Sequence, residues 1–588
     1  MNSEIEEIII NFIEGGHQLL TNGEYSQLKE LCEEFLKIYS DERVYLMLST
    51  ACYALGDYRA AEESSRRGFE LNPKSPDHVY NLACIMKNQG RFSNAWRFFK
   101  RAFKNAADGE LKDLCIQELN AIEKHLNKDE AALFPKEQSK RVLIIAYIYP
   151  PLSGSGVQRT LKLVKYMRVY GWEPVVVTVN ELPNKDQVGK EYFDEIPDDI
   201  EVIRINSKTF YTMKDLERVK NKLCEMLSSK LHSEFENIYS RNDNNLKLQL
   251  CSFPEPAVFW AQNIIDSIEQ YVDMDKINLI YSTSGPYSDH IAGYYLKQQF
   301  NKPWVVDFRD EWSKNPAIWS DDKNTFFYRM CVDIEKEILK FADEVICVTE
   351  ASEENYLRLG VPLEKLICIT NGYDEEDFEG IEGLGQKNDK FTLVHNGVLY
   401  LDRTPNTMLV AISNLISSGK VDRNKIVFHM GSALGKNLEI ESSKIISELD
   451  LMDIALFTPY MNHRDSLKLA ASADSLILLL GPSEKYVATY PGKTFEYLRF
   501  GKRVLSLGPK KSVIERIINK TNHGINIEFN DTAAIEDEIF EQYSLWLNGH
   551  DATIQKTDTS MYERQVLVKK HSNVFKRAVQ NFDSLKRI

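Results

Sequence analysis

From Arg141 onward the chain alternates short, unbroken apolar runs with segments of helical period, and this alternation constrains the fold most. Val142–Ile148, Pro174–Val179, Glu201–Ile205, Leu279–Thr283, Trp304–Phe308, Glu344–Val348 and Leu366–Ile369 form one series. Phe391–His395, Ile426–His429, Ala455–Phe457, Ser475–Leu480, Val504–Leu507 and Ile525–Ile527 form a second. Strands apolar on both faces must be covered on both, and strands separated by helices are parallel. The acidic stretch Asp374–Lys390, broken by Gly380, Gly383 and Gly385, parts the two series. The pattern predicts two doubly wound, Rossmann-like domains, over 140–385 and 390–560, facing each other across a cleft. Residues 207–250 read as a charged helical insertion, and 561–588 as a terminal helix packing back across the cleft.

The first 130 residues are organised by internal repetition instead. Gly56-Asp57-Tyr58 returns as Gly90-Arg91-Phe92, and at the same shift Leu48, Ala61 and Gly68 return as Leu82, Ala95 and Ala102. Gly23-Glu24-Tyr25 is an earlier copy, Pro73 stands where a helix pair should end, and Leu111–Leu126 reads as a capping helix. Small residues at helix contacts, an aromatic at the turn and a proline at the exit resemble the tetratricopeptide repeat. Such a stack buries a continuous core and leaves a concave groove. The groove suits a protein or peptide partner, and equally a spacer or an oligomerisation surface.

A length of 588 residues calls for several cores. The net charge of −15 argues against a nucleic-acid partner, since no basic excess exists to release counterions. The N-terminus is acidic where a signal peptide needs positive charge, and runs such as Leu476–Leu480 are far short of a membrane span. The nine cysteines are scattered without Cys-x-x-Cys or paired ligand spacing, which predicts reduced thiols, no structural zinc and a cytoplasmic protein.

The most chemically informative stretch is Pro491-Gly492-Lys493-Thr494-Phe495-Glu496-Tyr497-Leu498, closed by Gly501 and followed by an apolar run. Lys493 falls in the first helical turn, where unpaired N–H groups favour an anion, and Glu496 shares its face. A lysine for phosphate beside a carboxylate for ribose hydroxyls is what a sugar nucleotide requires. A solvated surface pair would have the same spacing. Gly154, Ser155 and Gly156 open a helix over 160–170, which would let backbone approach a ligand. The third glycine of a dinucleotide fingerprint is replaced by Arg159, and neither Gly492-Lys493-Thr494 nor Gly431–Lys436 satisfies the phosphate-loop spacing of nucleotide hydrolases. Arg159, Lys162, Lys165 and Arg168 recur every three residues, as on a basic helix resting on anionic lipid or on an ordinary solvated face.

His290, entering a helix after a strand, has the position of a group that orients or deprotonates a hydroxyl, or of a structural histidine. Asp307-Phe308-Arg309-Asp310-Glu311 ends another strand, and its acids around one arginine fit a polyol or phosphate, or an ion-pair cluster. In the second series, Gly397 and Arg403 follow the first strand, where an arginine would hold a second phosphate.

Together these residues resemble the retaining, nucleotide-sugar-dependent GT-B glycosyltransferases, in particular the bacterial polysaccharide-type, family-4-like branch. The likeness runs from about residue 141 to 570 and rests on Tyr149-Pro150-Pro151 with Gly154–Arg159, Asp307–Trp312, Ala473-Asp474 and Gly492–Leu498. It implies a donor bound by the C-terminal Rossmann-like domain, an acceptor bound by the N-terminal one, no cofactor and no obligatory metal. It assigns Glu496 to the donor ribose, and Lys493 and Arg403 to a diphosphate clamp. Gly154–Gly156 falls near the transferred sugar, and His290 at the catalytic histidine. Gly397, Gly492 and Thr494 complete the donor set, and Arg159, Arg309 and Asp310 face the acceptor. One position departs from the family: a further glutamate is replaced by Ala488, with Glu484 out of register. The expected function is a cytoplasmic hexosyltransferase acting on a protein or on a glycan or lipid-linked acceptor. The basic helix over 159–170 would supply a peripheral membrane contact. The alternative is a repeat scaffold carrying an inactive GT-B fold.

Overall fold

A computed structural model describes residues 2–585 except 73–74, 108, 123–138, 153–154, 181–194, 197–199, 208–210, 316–317, 320–321, 382–387, 398, 400–401, 432–435, 459–460 and 550–556. The described residues between 2 and 122 form one compact unit and most of the described remainder a second.

The first unit is a run of helices: α1 (Asn2–Asn22), α2 (Tyr25–Leu36), α3 (Glu42–Ala54), α4 (Tyr58–Leu71), α5 (Pro76–Asn88), α6 (Phe92–Asn105) and α7 (Glu110–Ile122). The repeat has a conformational cause. Gly23, Gly56 and Gly90, which link α1 to α2, α3 to α4 and α5 to α6, have φ of 76°, 78° and 73°, a region closed to most side chains. Gly68 and Ala102 occupy equivalent positions, but a Cβ at Gly68 would overlap the buried His78 ring. Leu28, Leu48, Ala61, Leu82 and Ala95 are buried between successive helices. Pro73, and the end of the capping helix expected over Leu111–Leu126, lie outside the described residues.

The second unit holds two parallel sheets. The first contains β1 (Lys140–Ile145), β2 (Trp172–Val179), β3 (Glu201–Ile205), β4 (Ile277–Thr283), β5 (Trp304–Phe308), β6 (Glu344–Cys347) and β7 (Leu366–Cys368), in the order β3-β2-β1-β4-β5-β6-β7. The second contains β8 (Phe391–Asn396), β9 (Ile426–Gly431), β10 (Ala455–Thr458), β11 (Ser475–Leu479), β12 (Arg503–Leu507) and β13 (Gly524–Ile527), in the order β10-β9-β8-β11-β12-β13. Every strand matches an apolar run of the sequence. Leu143 and Ile145 of β1 point into one core while Val142 and Ile144 point into another, so the sheet needs cover on both sides. The insertion forms helices Met213–Glu225, Ser229–Tyr239 and Asn244–Cys251, whose Leu216, Phe235 and Leu250 join the first of these cores.

The second core is closed by α8 (Ser155–Tyr166) and by the C-terminal helix Arg564–Leu585, which returns from beyond the second sheet to pack on the first. Phe575 of that helix is fully buried, with its ring centroid 5.3 Å from Trp172 and 5.5 Å from Tyr281. Burying such a side chain contributes about 1.5–3 kcal/mol, enough to hold the helix end on the sheet. Among the described residues no helix is long and apolar enough to cross a membrane.

Candidate functional site

In the second sheet the chain leaves β11, makes the turn Pro491-Gly492-Lys493 and enters the short helix Thr494–Phe500. Gly501, with φ of 64°, ends that helix and returns the chain to β12. Buried Phe495, Tyr497 and Leu498 anchor it. The Tyr497 hydroxyl accepts the Asn396 N–H at 2.8 Å, pinning the helix beside the C-terminal end of β8. Thr494 is buried, and its hydroxyl donates to Pro491 O at 2.8 Å, closing the turn. Gly492 is exposed.

Lys493 and Glu496 do share a face: Nζ lies 3.3 Å from Oε2, and the lysine is partly open to solvent. The other carboxylate oxygen lies 2.8 Å from His463 Nε2, at the start of the helix His463–Ser472. Burial alone would raise the Glu496 pKa, but the Lys493 and His463 charges outweigh it and hold it at about 2. Burial works to lower the pKa of His463, yet Glu496 raises it above its ordinary value. The site therefore keeps an ionised carboxylate between a lysine and a histidine whose protonated form it favours. No local sequence signal marks His463, because its partner is 33 residues away.

Arg403 is held by other neighbours. Its guanidinium lies 4.6 Å from the ring centroid of Tyr486, whose hydroxyl is hydrogen-bonded to Asp402. Burial first, then Asp402, push the Tyr486 hydroxyl up to about 12. Gly397 sits beside His395, where a Cβ would lie 3.2 Å from Nε2. Burial brings the His395 pKa down to about 4, and Arg403 adds to that fall. Its Nδ1 is 2.9 Å from Ile477 O, which makes it the protonated nitrogen.

The corresponding end of the first sheet is different. Gly154 lies outside the described residues; Ser155 begins α8. At Gly156 a Cβ would come within 2.5 Å of the Arg309 guanidinium, and at Gly285 within 2.6 Å. Arg309 donates to Gly156 O and, at 2.6 Å, to Gly285 O. The glycines thus admit a protein side chain that ties two loops together. Asp310 is exposed at the end of β5. Arg159 is buried against Asp307, with Nε 2.7 Å and Nη2 2.9 Å from the two carboxylate oxygens, and donates further to Ile369 O and Thr370 O at 3.0 Å each. Burial would raise the Asp307 pKa, but Arg159 holds it well below the carboxylate range.

His290 is fully buried against Phe308, with Nδ1 2.9 Å from Ser282 Oγ. The Trp304 indole N–H donates to the same oxygen at 2.9 Å, so a serine proton directed to Nδ1 would leave the imidazole proton on Nε2. Nε2 has no hydrogen-bond partner among the described residues. Burial lowers the His290 pKa to about 3, so the imidazole is neutral.

The membrane-facing basic surface expected on 159–170 is overturned. Arg159, Lys162, Lys165 and Arg168 are only 3%, 1%, 1% and 1% exposed. Lys162 Nζ lies 2.7 Å from both Asp374 and Asp377 and also pairs with Glu195; Lys165 lies 2.7 Å from Asp374 and 2.8 Å from Glu376. Arg168 pairs with Glu173. Carboxylates, all but Glu173 distant in sequence, neutralise the face and leave no cationic surface for lipid. Glu195, Asp374 and Asp377 approach within ligand distance of one another, but their charge is met by these lysines. Cys224, His232 and Glu236 also converge, with burial pushing the thiol up to about 11, which disfavours the thiolate a metal needs.

One further cation reaches this region from the C-terminal helix. Arg564 is 7% exposed. Burial, then the like charge of Arg159, lower its pKa to about 10, against the pull of Asp374, Asp377 and Glu496. Nothing in the sequence pattern marks it.

No family model and no curated protein matches the sequence. Among solved structures, a glycosyltransferase from Rickettsia africae ESF-5 is similar at a TM-score of 0.50 and 14% identity, over 75% of this chain and 99% of that one. HepE from Anabaena, solved with UDP and glucose, gives 0.46 at 13% identity, over 76% and 100%. The O-GlcNAc transferase of Thermobaculum terrenum gives 0.35 at 13% identity, over 97% and 98%. The first shares the fold. Two Rossmann-like parallel sheets, here following a helical repeat, make this a GT-B architecture.

Proposed function

We propose that the protein is a glycosyltransferase that moves a sugar from a nucleoside-diphosphate sugar to an acceptor hydroxyl or amide, with retention. The observation that carries this reading is the Lys493–Glu496–His463 cluster beside the C-terminal end of β8, where open parallel sheets bind ligands. Glu496, ionised at neutral pH, accepts hydrogen bonds from the donor ribose. Lys493 and Arg403 stabilise charge on the departing diphosphate, with Gly397, Gly492 and Thr494 lining the donor. His290, a neutral donor through Nε2, orients a sugar hydroxyl near the Gly154–Gly156 turn. Arg309 and Arg159 fix the loops of the acceptor side, and exposed Asp310 faces the acceptor. No cofactor or metal enters the proposal.

Most of the rate enhancement asked of the protein is electrostatic stabilisation of the leaving group, and loss of one such donor costs ~10²–10³ in turnover. The test is a thermal shift of the full chain against UDP-, GDP- and ADP-sugars, with mass spectrometry of products from the donor that binds. A donor at 100 times its Kd stabilises by ~2.7 kcal/mol. Silence from every donor would instead favour a scaffold with an inactive fold, the reading that Ala488 supports. The repeat unit is proposed to seat a protein or peptide. Removing residues 1–130 abolishes transfer to a protein acceptor but not to a glycan or lipid-linked one.

A further inference from the structure

The charged groups between the two sheets pair off almost completely. Asp307 takes Arg159; Asp374 takes Lys162, Lys165 and the Tyr166 hydroxyl; Asp377 takes Lys162; Glu496 takes Lys493 and His463. Arg564 remains. Its side chain is more than nine-tenths buried, and no hydrogen bond or ion pair reaches its guanidinium among the described residues. Every carboxylate that acts on it already has its own cation.

Its position is enforced by backbone. The Tyr373 N–H donates to Tyr562 O at 3.1 Å, and the Arg564 N–H donates to Tyr373 O at 2.8 Å, in a parallel bridge joining Tyr373 to Glu563. Gly372 is needed there, since a Cβ would overlap Tyr562 O. The bridge sets Arg564 one residue beyond Glu563, while Asp374, beside Tyr373, gathers the lysines of α8. Leu567 and Phe575, buried on the first sheet, prevent the helix from withdrawing.

Arg564 is mostly buried and bonded to no partner among the described residues, so its guanidinium is available to an anion from outside. The guanidinium fork matches phosphate oxygens two at a time, and Glu496, within electrostatic reach, is the carboxylate proposed above for the ribose. We propose that Arg564 is a diphosphate-binding residue of the donor site, brought to the second sheet's nucleotide by the helix that packs on the first. This rests on the glycosyltransferase reading and adds to it a cation from a segment that follows both sheets. Donor binding then draws the C-terminal helix and the second sheet onto one ligand.

The test compares the full chain with Arg564→Gln and Arg564→Lys by calorimetric titration with UDP, GDP, ADP, the matching nucleosides and inorganic pyrophosphate. The expected result is a ~10- to 100-fold loss of affinity for the bound nucleoside diphosphate in Arg564→Gln, the size of a charge-assisted hydrogen bond. Arg564→Lys should fall between, and nucleoside binding should not change. The unliganded Arg564→Gln protein should melt at or above the parent's temperature, because no native partner loses its bond. Undiminished diphosphate affinity in Arg564→Gln, or a lowered melting temperature without loss of that affinity, overturns the assignment and leaves glycosyl transfer standing. A parent that binds no diphosphate removes both.

Discussion

Two sets of cations in this chain look alike in sequence and behave in opposite ways. Arg159, Lys162, Lys165 and Arg168 recur every three residues on α8, and Lys493 sits three residues from Glu496 on a helix of its own. The first set is sealed inside the second unit and matched by carboxylates from Glu173, Glu195, Asp307, Asp374, Glu376 and Asp377. The second keeps its lysine partly open, shares one carboxylate between two cations, and has an unpaired arginine in electrostatic range. Spacing tells which residues share a face; it does not tell whether that face is wet. Charges matched within the protein hold segments together, whereas the surplus charge is what the proposed donor site rests on.

The sharpest break in that contrast is at Asp307. Asp307→Asn strands a buried guanidinium and should cost ~3–5 kcal/mol, whereas joint replacement of Arg159 by Met and Asp307 by Leu should cost much less. Denaturant midpoints of the three proteins check this, and equal losses in single and double variants would contradict it. Lys493→Ala is the counterpart: transfer should fall by ~10²–10³, with a stability loss of about 1–1.5 kcal/mol from the Glu496 carboxylate it leaves less supported, well short of that of Asp307→Asn. A destabilisation as large as that of Asp307→Asn would place Lys493 with the internal set.

Gly156→Ala should displace Arg309 and cost ~1–3 kcal/mol, the range for overpacking; circular dichroism melts read it, and an unchanged midpoint would show that the two loops do not need the tie. The smallest effect concerns pH. Glu496, with a folded pKa of about 2, contributes stability that is complete above its ordinary 4.5 and is lost as pH falls toward 2. His463, raised above its ordinary 6.5, contributes below that value and loses its contribution as pH climbs through the raised one. Their mutual support is therefore strongest between about 4.5 and 6.5. His463→Ala should move the carboxyl titration of Glu496 upward by ~1 pH unit, seen by NMR; a titration left in place would mean Lys493 alone sets it.

The strands were legible because an unbroken apolar run such as Trp304–Phe308 or Leu476–Leu479 has few alternatives once helices flank it. The repeat was legible because Gly23, Gly56 and Gly90 mark the same backbone constraint three times. Within the candidate site, Lys493 and Glu496 could be paired by eye because a helix brings neighbours three apart together. His463 could not, since it reaches Glu496 from another element, and neither could Arg564, which belongs to the C-terminal helix. The inward turn of α8 was equally hidden: Lys162 and Lys165 meet Asp374 only after the chain has wound through the whole first sheet.

What the sequence determined by itself is the kind of each element and its order, because backbone hydrogen bonding and apolar burial are decided over a few residues at a time. What only the tertiary structure decided is the fate of the charges. Whether a lysine meets water, a carboxylate or nothing depends on which distant segments fold against it, and the energy of a charge is set by that surrounding.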